Sequence, residues 1–225
     1  MLAEERRLQL VAWSKTEGRL DALEASNRLN VAVETIRRDL DVLQRRGVVK
    51  RVHGGAIPIE RFTKEANRAE RKVSNSTAKA KIAQTAATYI PESGCIFIDG
   101  GSTTELLWAY LRDKPNLLVA TNSITLTALI GESSTKVILL GGEVRATSLS
   151  TTGILAVDEL ENFHAQVAFI GLNGISDEAG MTTADLGEAA VKRAMIANAA
   201  ERILLADHSK FGGSFAAKFA MPTEF

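Results

Sequence analysis

Between residues 78 and 206 stretches of helical periodicity alternate with short continuous apolar runs, each run leaving through a loop of small and polar residues. The runs are 95–98, 117–120, 137–140, 167–170 and 203–206, and the helical stretches are 78–90, 104–111, 124–130, 156–163 and 189–200. Runs this short, apolar without alternation, suit strands buried on both faces. Strands alternating with helices predict an α/β domain with a mostly parallel sheet, covered on both sides. The loops that leave these runs are equally constraining. They are Asp99-Gly100-Gly101-Ser102-Thr103-Thr104, Thr121-Asn122-Ser123, Gly141-Gly142, Gly171 and Asp207-His208-Ser209-Lys210. All fall at the carboxyl edge, where open parallel sheets bind ligands. The backbone N–H groups and hydroxyls of 100–104 can cradle a phosphate as a helix opens, and Lys210 adds positive charge. Asp99 and Asn122 can hydrogen-bond sugar hydroxyls. One glycine loop is an ordinary βα turn, but five at one edge point to a small-ligand site. No Gly-Lys-Ser/Thr follows the glycines and no Gly-x-Gly-x-x-Gly follows the first strand, which argues against a nucleotide P-loop and a dinucleotide fold.

The first 56 residues read differently. A helix is expected over 3–14, broken at Glu17-Gly18, and a second from Asp21, where Glu24 stands at capping-box spacing. Asn30 suits a left-handed stop. A third helix is predicted from Val33 to Arg46, ending at Gly47. Its apolar residues Val33, Ile36, Leu40 and Leu43 share one face, with Arg38 nearly opposite and Arg37 on the flank. Three short helices with a tight turn before the third suit a helix-turn-helix whose third helix enters the major groove. The run from Val48 to Ala56 reads as two short strands around a glycine bend, a basic wing. The DNA-contacting candidates are therefore Thr35, Arg37, Arg38 and Arg45 on the helix and Lys50, Arg51 and His53 on the wing. Arginine can grip guanine edges or phosphate. A small helical cap with a solvated basic face is the plain alternative.

Charge alone does not decide between the two, because a solvated basic face is the commoner source of a basic cluster. The chain is neutral overall, yet residues 28–72 carry twelve Lys/Arg against six Asp/Glu, while residues 73–225 carry eleven against sixteen. A basic segment joined to a larger acidic part suggests that only the former meets a polyanion. No apolar run reaches the ~20 residues of a membrane-spanning helix. The charged start lacks a signal-peptide core, so a cytoplasmic location is expected. The single cysteine, Cys95, excludes an internal disulfide framework and reads as a small core residue. His53, His164 and His208 are too scattered for a metal triad, and no cofactor is expected. Residues 57–78 are polar, and their arginines read as the face of a solvated, partly helical connector.

The block Thr35-Ile36-Arg37-Arg38-Asp39-Leu40, with Leu43, Gly47 and Arg51-Val52-His53-Gly54-Gly55-Ala56, closely resembles the signature of the DeoR family of bacterial repressors. So do residues 99–104, 121–123, Gly141-Gly142-Glu143-Val144-Arg145, and Asp207-His208-Ser209-Lys210-Phe211-Gly212. Two features depart from it. Ala32 stands where the family usually has serine, and a missing N-cap hydroxyl costs ~1 kcal/mol. Ala25-Ser26 replaces a Leu-Ala pair. The resemblance implies a winged helix-turn-helix over 1–57, a linker over 58–76 and a phosphosugar-sensing α/β domain over 77–225. The sensor would be similar to ribose-5-phosphate isomerase and coenzyme A transferase folds. Family members usually continue for another strand and helix, so a truncated C-terminal end is expected. The resemblance also implies that Asp99, Gly101, Ser102, Thr103 and Thr104 hold a phosphorylated sugar, with Asn122, Gly141, Gly142, Arg145 and Lys210 nearby and Glu188 and Lys192 close to the site.

The expected function is transcription control of a carbohydrate-utilisation operon, most simply repression. A homo-oligomer, dimer or tetramer, would bind paired operator half-sites under sugar-phosphate control. The alternative is a sugar-phosphate isomerase, with Asp99, Asp185, Glu188 or Asp207 as general base. That reading gives the N-terminal module no task. A protein-binding scaffold explains neither set of motifs.

Overall fold

A computed structural model describes residues 2–46, 48–58, 65–177 and 179–225. Its first helices are α1 (Ala3–Glu17), α2 (Ala22–Leu29) and α3 (Val33–Arg45). A strand β1 (Leu20–Asp21) lies between the first two, and the hairpin β2 (Val49–Val52) and β3 (Gly55–Pro58) follows α3. The expected stop of α3 at Gly47 lies outside the described residues. Asp21 caps α2, its carboxylate accepting from the backbone N–H of Leu23 at 2.8 Å and Glu24 at 3.0 Å. Asn30 ends α2 at φ 50°, the left-handed conformation asparagine tolerates. Ser26 donates to the Val31 carbonyl at 2.6 Å and ties the turn shut. Ala32 caps α3 without a side-chain bond.

Leu10, Leu20, Ala25, Ile36, Leu40, Leu43, Val49 and Ala56 close one core beneath these elements. Asp39 lies on the same face of α3 and is buried, which demands a partner. Arg6 and Arg7 on α1 supply it, at 2.5 and 2.8 Å. The Asp39 of the Arg-Arg-Asp-Leu block is thus a clamp between α1 and α3. The wing depends on its two glycines. Gly54 turns at φ 78°, and a Cβ on Gly55 would lie 1.8 Å from the Leu20 carbonyl oxygen, where β1 pairs with β3.

The rest forms the α/β domain. Five strands, β4 (Gly94–Ile98), β5 (Leu117–Thr121), β6 (Lys136–Leu139), β9 (Ala165–Gly171) and β12 (Ala199–Leu205), make a wholly parallel sheet in the order β12-β9-β4-β5-β6. Alternate side chains of β4 go to opposite faces. Phe97 packs among residues of α7 (Ile154–Leu160) and α8 (Leu186–Ala197), while Ile96 and Ile98 pack with residues of α5 (Ser76–Ala86) and α6 (Ile124–Ile130). Cys95 is half-buried on β4, and burial raises its thiol pKa.

Several local expectations change. The helical stretch expected over 104–111 is present as a 3-10 helix, Thr104–Tyr110. Two small antiparallel units were not foreseen. One is the hairpin β7 (Glu143–Arg145) with β8 (Ser150–Thr152); the other is a sheet of β10 (Gly174–Ser176), β11 (Gly180–Thr183) and β13 (Ala217–Ala220). The connector helix α4 (Arg68–Val73) keeps a solvated face, with Ala69, Glu70, Lys72 and Val73 exposed, but its two arginines leave that face. Arg68 pairs with Glu105 at 3.0 Å, and Arg71 donates to the Thr147 carbonyl at 2.9 Å. Both contacts dock the connector on the sheet domain. Arg61 and Lys64 of the connector lie outside the described residues.

Candidate DNA-binding face and effector cavity

On α3 the side chains of Arg37, Arg38 and Arg45 are exposed and Thr35 is half-buried near the helix start. Among the described residues the Arg37 side chain has only an exposed ion pair with Glu34 at 3.4 Å, a contact of little energetic weight. Arg38 is exposed while Ile36, Asp39 and Leu40 beside it are buried. The wing carries Lys50 and an exposed His53, whose carbonyl accepts from Arg19 at 2.9 Å. Arg51 is placed otherwise than expected. Its guanidinium donates to the Arg37 carbonyl at 2.9 Å and to the Gly55 carbonyl at 3.2 Å, and pairs with Asp41. Its own N–H donates to Gln44 at 2.7 Å. Arg51 therefore braces the wing on α3 instead of reaching outward.

The second site follows from sheet topology. From β4 the chain moves to β5 and β6 on one side, then returns to β9 and β12 on the other. The order reverses between β4 and β9, the position at which doubly wound sheets open a crevice for ligands. A cavity of about 30 Å³ lies there, lined by 100–104 after β4, Gly171–Asn173 after β9, and Lys192, Lys210, Glu188 and Arg71. A larger depression, about 940 Å³, runs along the outer edge of β12 beside α5 and the last residues. None of the loops at the carboxyl ends of β4, β5 and β9 enters it, so we place the candidate site at the smaller cavity.

The loop after β4 is tightly held. Gly100 N–H donates to Asn122 Oδ1 at 2.8 Å, and Thr104 Oγ1 donates to the Asp99 carbonyl at 2.6 Å. Lys79, buried on α5, donates to Ser102 Oγ at 3.1 Å and to the Arg71 carbonyl. Asp99 is buried, accepts from Gly171 N–H at 3.1 Å and is ion-paired with Lys192. Burial raises the Asp99 pKa and the Lys192 ammonium opposes that rise. Lys192 also donates to the Gly171 carbonyl at 3.0 Å, on the cavity wall.

Of the expected ligand residues, the structure gathers Gly101, Ser102, Thr103, Thr104 and Lys210 around the cavity, with Asp99 behind Lys192. Asn122 is buried and spends its amide on Gly100 and the Thr151 carbonyl. It positions the loop rather than presenting itself to a sugar. Gly141 N–H is bound by Glu159 at 2.7 Å, and Gly142 is pressed against Thr152, so both lie outside the lining. Arg145 reaches the cavity through Glu188, at 3.1 Å. Sequence reasoning missed Arg71, Asn173 and Lys79. Lys79 carries a legible signal, a lysine amid the alanines of the helix expected over 78–90.

Glu188 accepts from Thr183 Oγ1 at 2.7 Å. Burial raises its pKa, but Lys192, Thr183, Ser148 and Arg145 together outweigh that and hold it below the ordinary glutamate value of 4.5. A depressed pKa stabilises the native state above the unfolded-state value, and the stabilisation is lost as pH falls through that value toward the native one. Thermal melts from about pH 7 to pH 3 should show a steep acid limb for the wild type and a shallower one for Glu188→Gln. Parallel acid limbs would remove Glu188 from this account.

The candidate bases for isomerisation are all engaged. Asp99 holds Lys192, Asp185 caps α8 by accepting from Glu188 N–H at 2.9 Å, Glu188 holds Arg145, and Asp207 caps the next 3-10 turn at 2.8 Å from Ser209 N–H. Among the described residues no cluster of His, Cys, Asp and Glu could hold a metal ion, and no helix is long and apolar enough to cross a membrane.

A basic recognition helix and wing on a small module, joined to a parallel-sheet domain with a cationic cavity at its switch point, define a DNA-binding transcription regulator with a sensor domain. Residues 6–62 match the DeoR-like helix-turn-helix domain and residues 74–225 match the DeoR C terminal sensor domain. The chain belongs to the DeoR family, whose members regulate transcription; the isomerase alternative has no support there. It is 33% identical to the uncharacterized HTH-type transcriptional regulator FruR of Bacillus subtilis (strain 168), over 94% of this chain and 84% of that protein. It is 33% identical to the HTH-type transcriptional regulator GlpR of Haloferax volcanii, over 98% and 86%. It is 30% identical to the glycerol-3-phosphate regulon repressor of Escherichia coli (strain K12), over 94% and 84%. Among solved structures, ribose 5-phosphate isomerase A from Methanocaldococcus jannaschii is similar over 61% of this chain and 55% of that one, at 18% identity and TM-score 0.44, a level that bears on neither activity nor ligand.

Proposed function

We propose that this protein is a cytoplasmic repressor of a carbohydrate-utilisation operon, and that a phosphorylated sugar in the switch-point cavity controls its hold on operator DNA. The observation that carries the effector is the cavity itself. Backbone and hydroxyls of 100–104 meet Lys192, Lys210 and Arg71 at the carboxyl edge of the sheet. Clustered N–H groups, hydroxyls and cations are what a phosphate ester requires. On the DNA side, Arg37 and Arg38 read bases, Thr35 and Arg45 contact phosphates, and Lys50 and His53 lie along the backbone beside the helix. Arg51 keeps the wing in register. The protein acts as a homo-oligomer, dimer or tetramer, so that two modules meet paired half-sites.

The two sites are physically linked. Lys210 lines the cavity, and Gly212 two residues on approaches the wing so closely that a Cβ would lie 2.5 Å from Val52 Cγ1. A ligand that shifts the 208–213 loop therefore shifts a neighbour of the wing. It changes DNA affinity only by its preference between the two arrangements.

A thermal-shift panel of phosphosugars and their unphosphorylated parents tests the effector. A native-state ligand raises the apparent stability. The expected result is stabilisation by a particular phosphosugar and none by its parent sugar. Equal shifts from both, or no shift across the panel, would contradict the reading.

A further inference from the structure

The cavity of about 30 Å³ holds little more than one water, whereas small-molecule sites begin near ~300 Å³. A second cavity of about 110 Å³ lies against it, lined by Ile57 of the wing and Ala66 of the connector. Arg71, Asn173 and Lys210 line both. A bound phosphosugar must part that wall. Arg71 comes from the connector, and its guanidinium is held by another connector residue. Glu65 is almost fully buried, 3.2 Å from Arg71 Nη1 and ion-paired also with Arg145. Arg145 in turn pairs with Glu188 on the cavity wall. One carboxylate thus occupies two guanidinium groups beside a site built for an anion. Among the described residues, Arg71 Nε and Glu65 Oε1 have no hydrogen-bond partner despite their burial. Such a pair is unevenly satisfied and open to a better acceptor.

We propose that Arg71 is an effector-binding residue and that Glu65 is an internal anion holding its place, which the effector phosphate displaces. This rests on the phosphosugar reading above. A phosphate ester offers more acceptor oxygens than Glu65, and Arg71 swings to it. Glu65 then loses its partner, and the docked segment from Glu65 to Val73 loosens. Glu65 follows Pro58, the end of the wing strand β3, by seven residues. Loosening at Glu65 therefore moves the first docked residue of the connector further along the chain from the DNA module. The connector is both a wall of the sensor site and the arm that carries its signal.

Hydrogen exchange of residues 65–73 in the full chain tests this, with inorganic phosphate, glucose 6-phosphate and a chloride control of equal ionic strength. In the wild type, phosphate and glucose 6-phosphate should raise exchange in this segment, and chloride should not. In Glu65→Gln, exchange should be raised without ligand, and half-saturation by phosphate should fall at least about fivefold. Binding of phosphate with unchanged exchange at 65–73, or equal phosphate affinity in wild type and variant, would overturn the proposal, as would no phosphate binding at all. The wild-type exchange decides the matter alone if the variant fails to fold. Loosening by phosphate with no gain from any sugar ester would leave the displacement standing and remove the phosphosugar reading.

Discussion

A double variant, Arg37→Ala with Arg38→Ala, is expected to lose sequence-specific DNA binding while folding like the wild type. Both side chains project from α3 into solvent, and neither joins the core formed by Ile36, Leu40 and Leu43. Arg37 gives up only an exposed pair with Glu34, and the Arg37 carbonyl that anchors Arg51 belongs to the backbone and survives. A specific base contact contributes about 1–3 kcal/mol, so removing two weakens operator binding on the order of a hundredfold or more. Residual binding should be non-specific and strongly dependent on salt. Fluorescence anisotropy with operator and scrambled duplexes, beside a thermal melt, separates lost recognition from lost fold. Wild-type affinity in the double variant would move recognition away from α3.

The largest effect on stability is expected at Lys192. Lys192→Met keeps the length and apolar stem of the side chain, including its place near the Phe219 ring, but strands Asp99. Both members of the pair are buried, so removing one leaves an uncompensated charge at a cost of about 3–5 kcal/mol. That is a large share of a stability of roughly 5–15 kcal/mol. The sign with pH is distinctive. Without Lys192, burial and the nearby Glu188 raise the Asp99 pKa against only the Gly171 N–H bond, so the native state binds a proton more readily than the unfolded chain. The variant therefore recovers stability as pH falls, the reverse of the Glu188 contribution. Adding Asp99→Asn should restore the larger part of the loss at neutral pH. Denaturant titrations of both single variants and the double form a closed cycle, and additive losses would show that the pair is not coupled.

Much of this was legible in the chain. Five apolar runs gave the parallel sheet because a strand buried on both faces has no choice of pattern. Residues 99–104 marked the cavity because a βα loop at a sheet's carboxyl edge is a ligand position whatever its neighbours. Other features depended on partners far away. Nothing near Arg71 announces that it lines a cavity with Ser102 or that Glu65 spans to Arg145, 80 residues on. The hairpin at 143–152 is rich in serine and threonine and has no apolar alternation, so its strands left no periodic trace. Asp39 was legible but overlooked: it stands three residues from Ile36 on the apolar face of α3, and a carboxylate there must be paired. Asn122 and Arg51 carry the right chemistry for a ligand or a phosphate, but local geometry turns both inward. Residue type set what each could bind, and packing decided what it does bind.

The most direct test of the account measures binding of the wild-type protein to labelled DNA from upstream of its own operon, with and without the phosphosugar that stabilises it. The account predicts specific binding with a Kd of roughly 10⁻⁸ M or tighter. It predicts that the phosphosugar shifts that Kd at least about fivefold, while the parent sugar leaves it unchanged. Binding that does not distinguish operator from scrambled DNA, or that no phosphosugar alters, would contradict it.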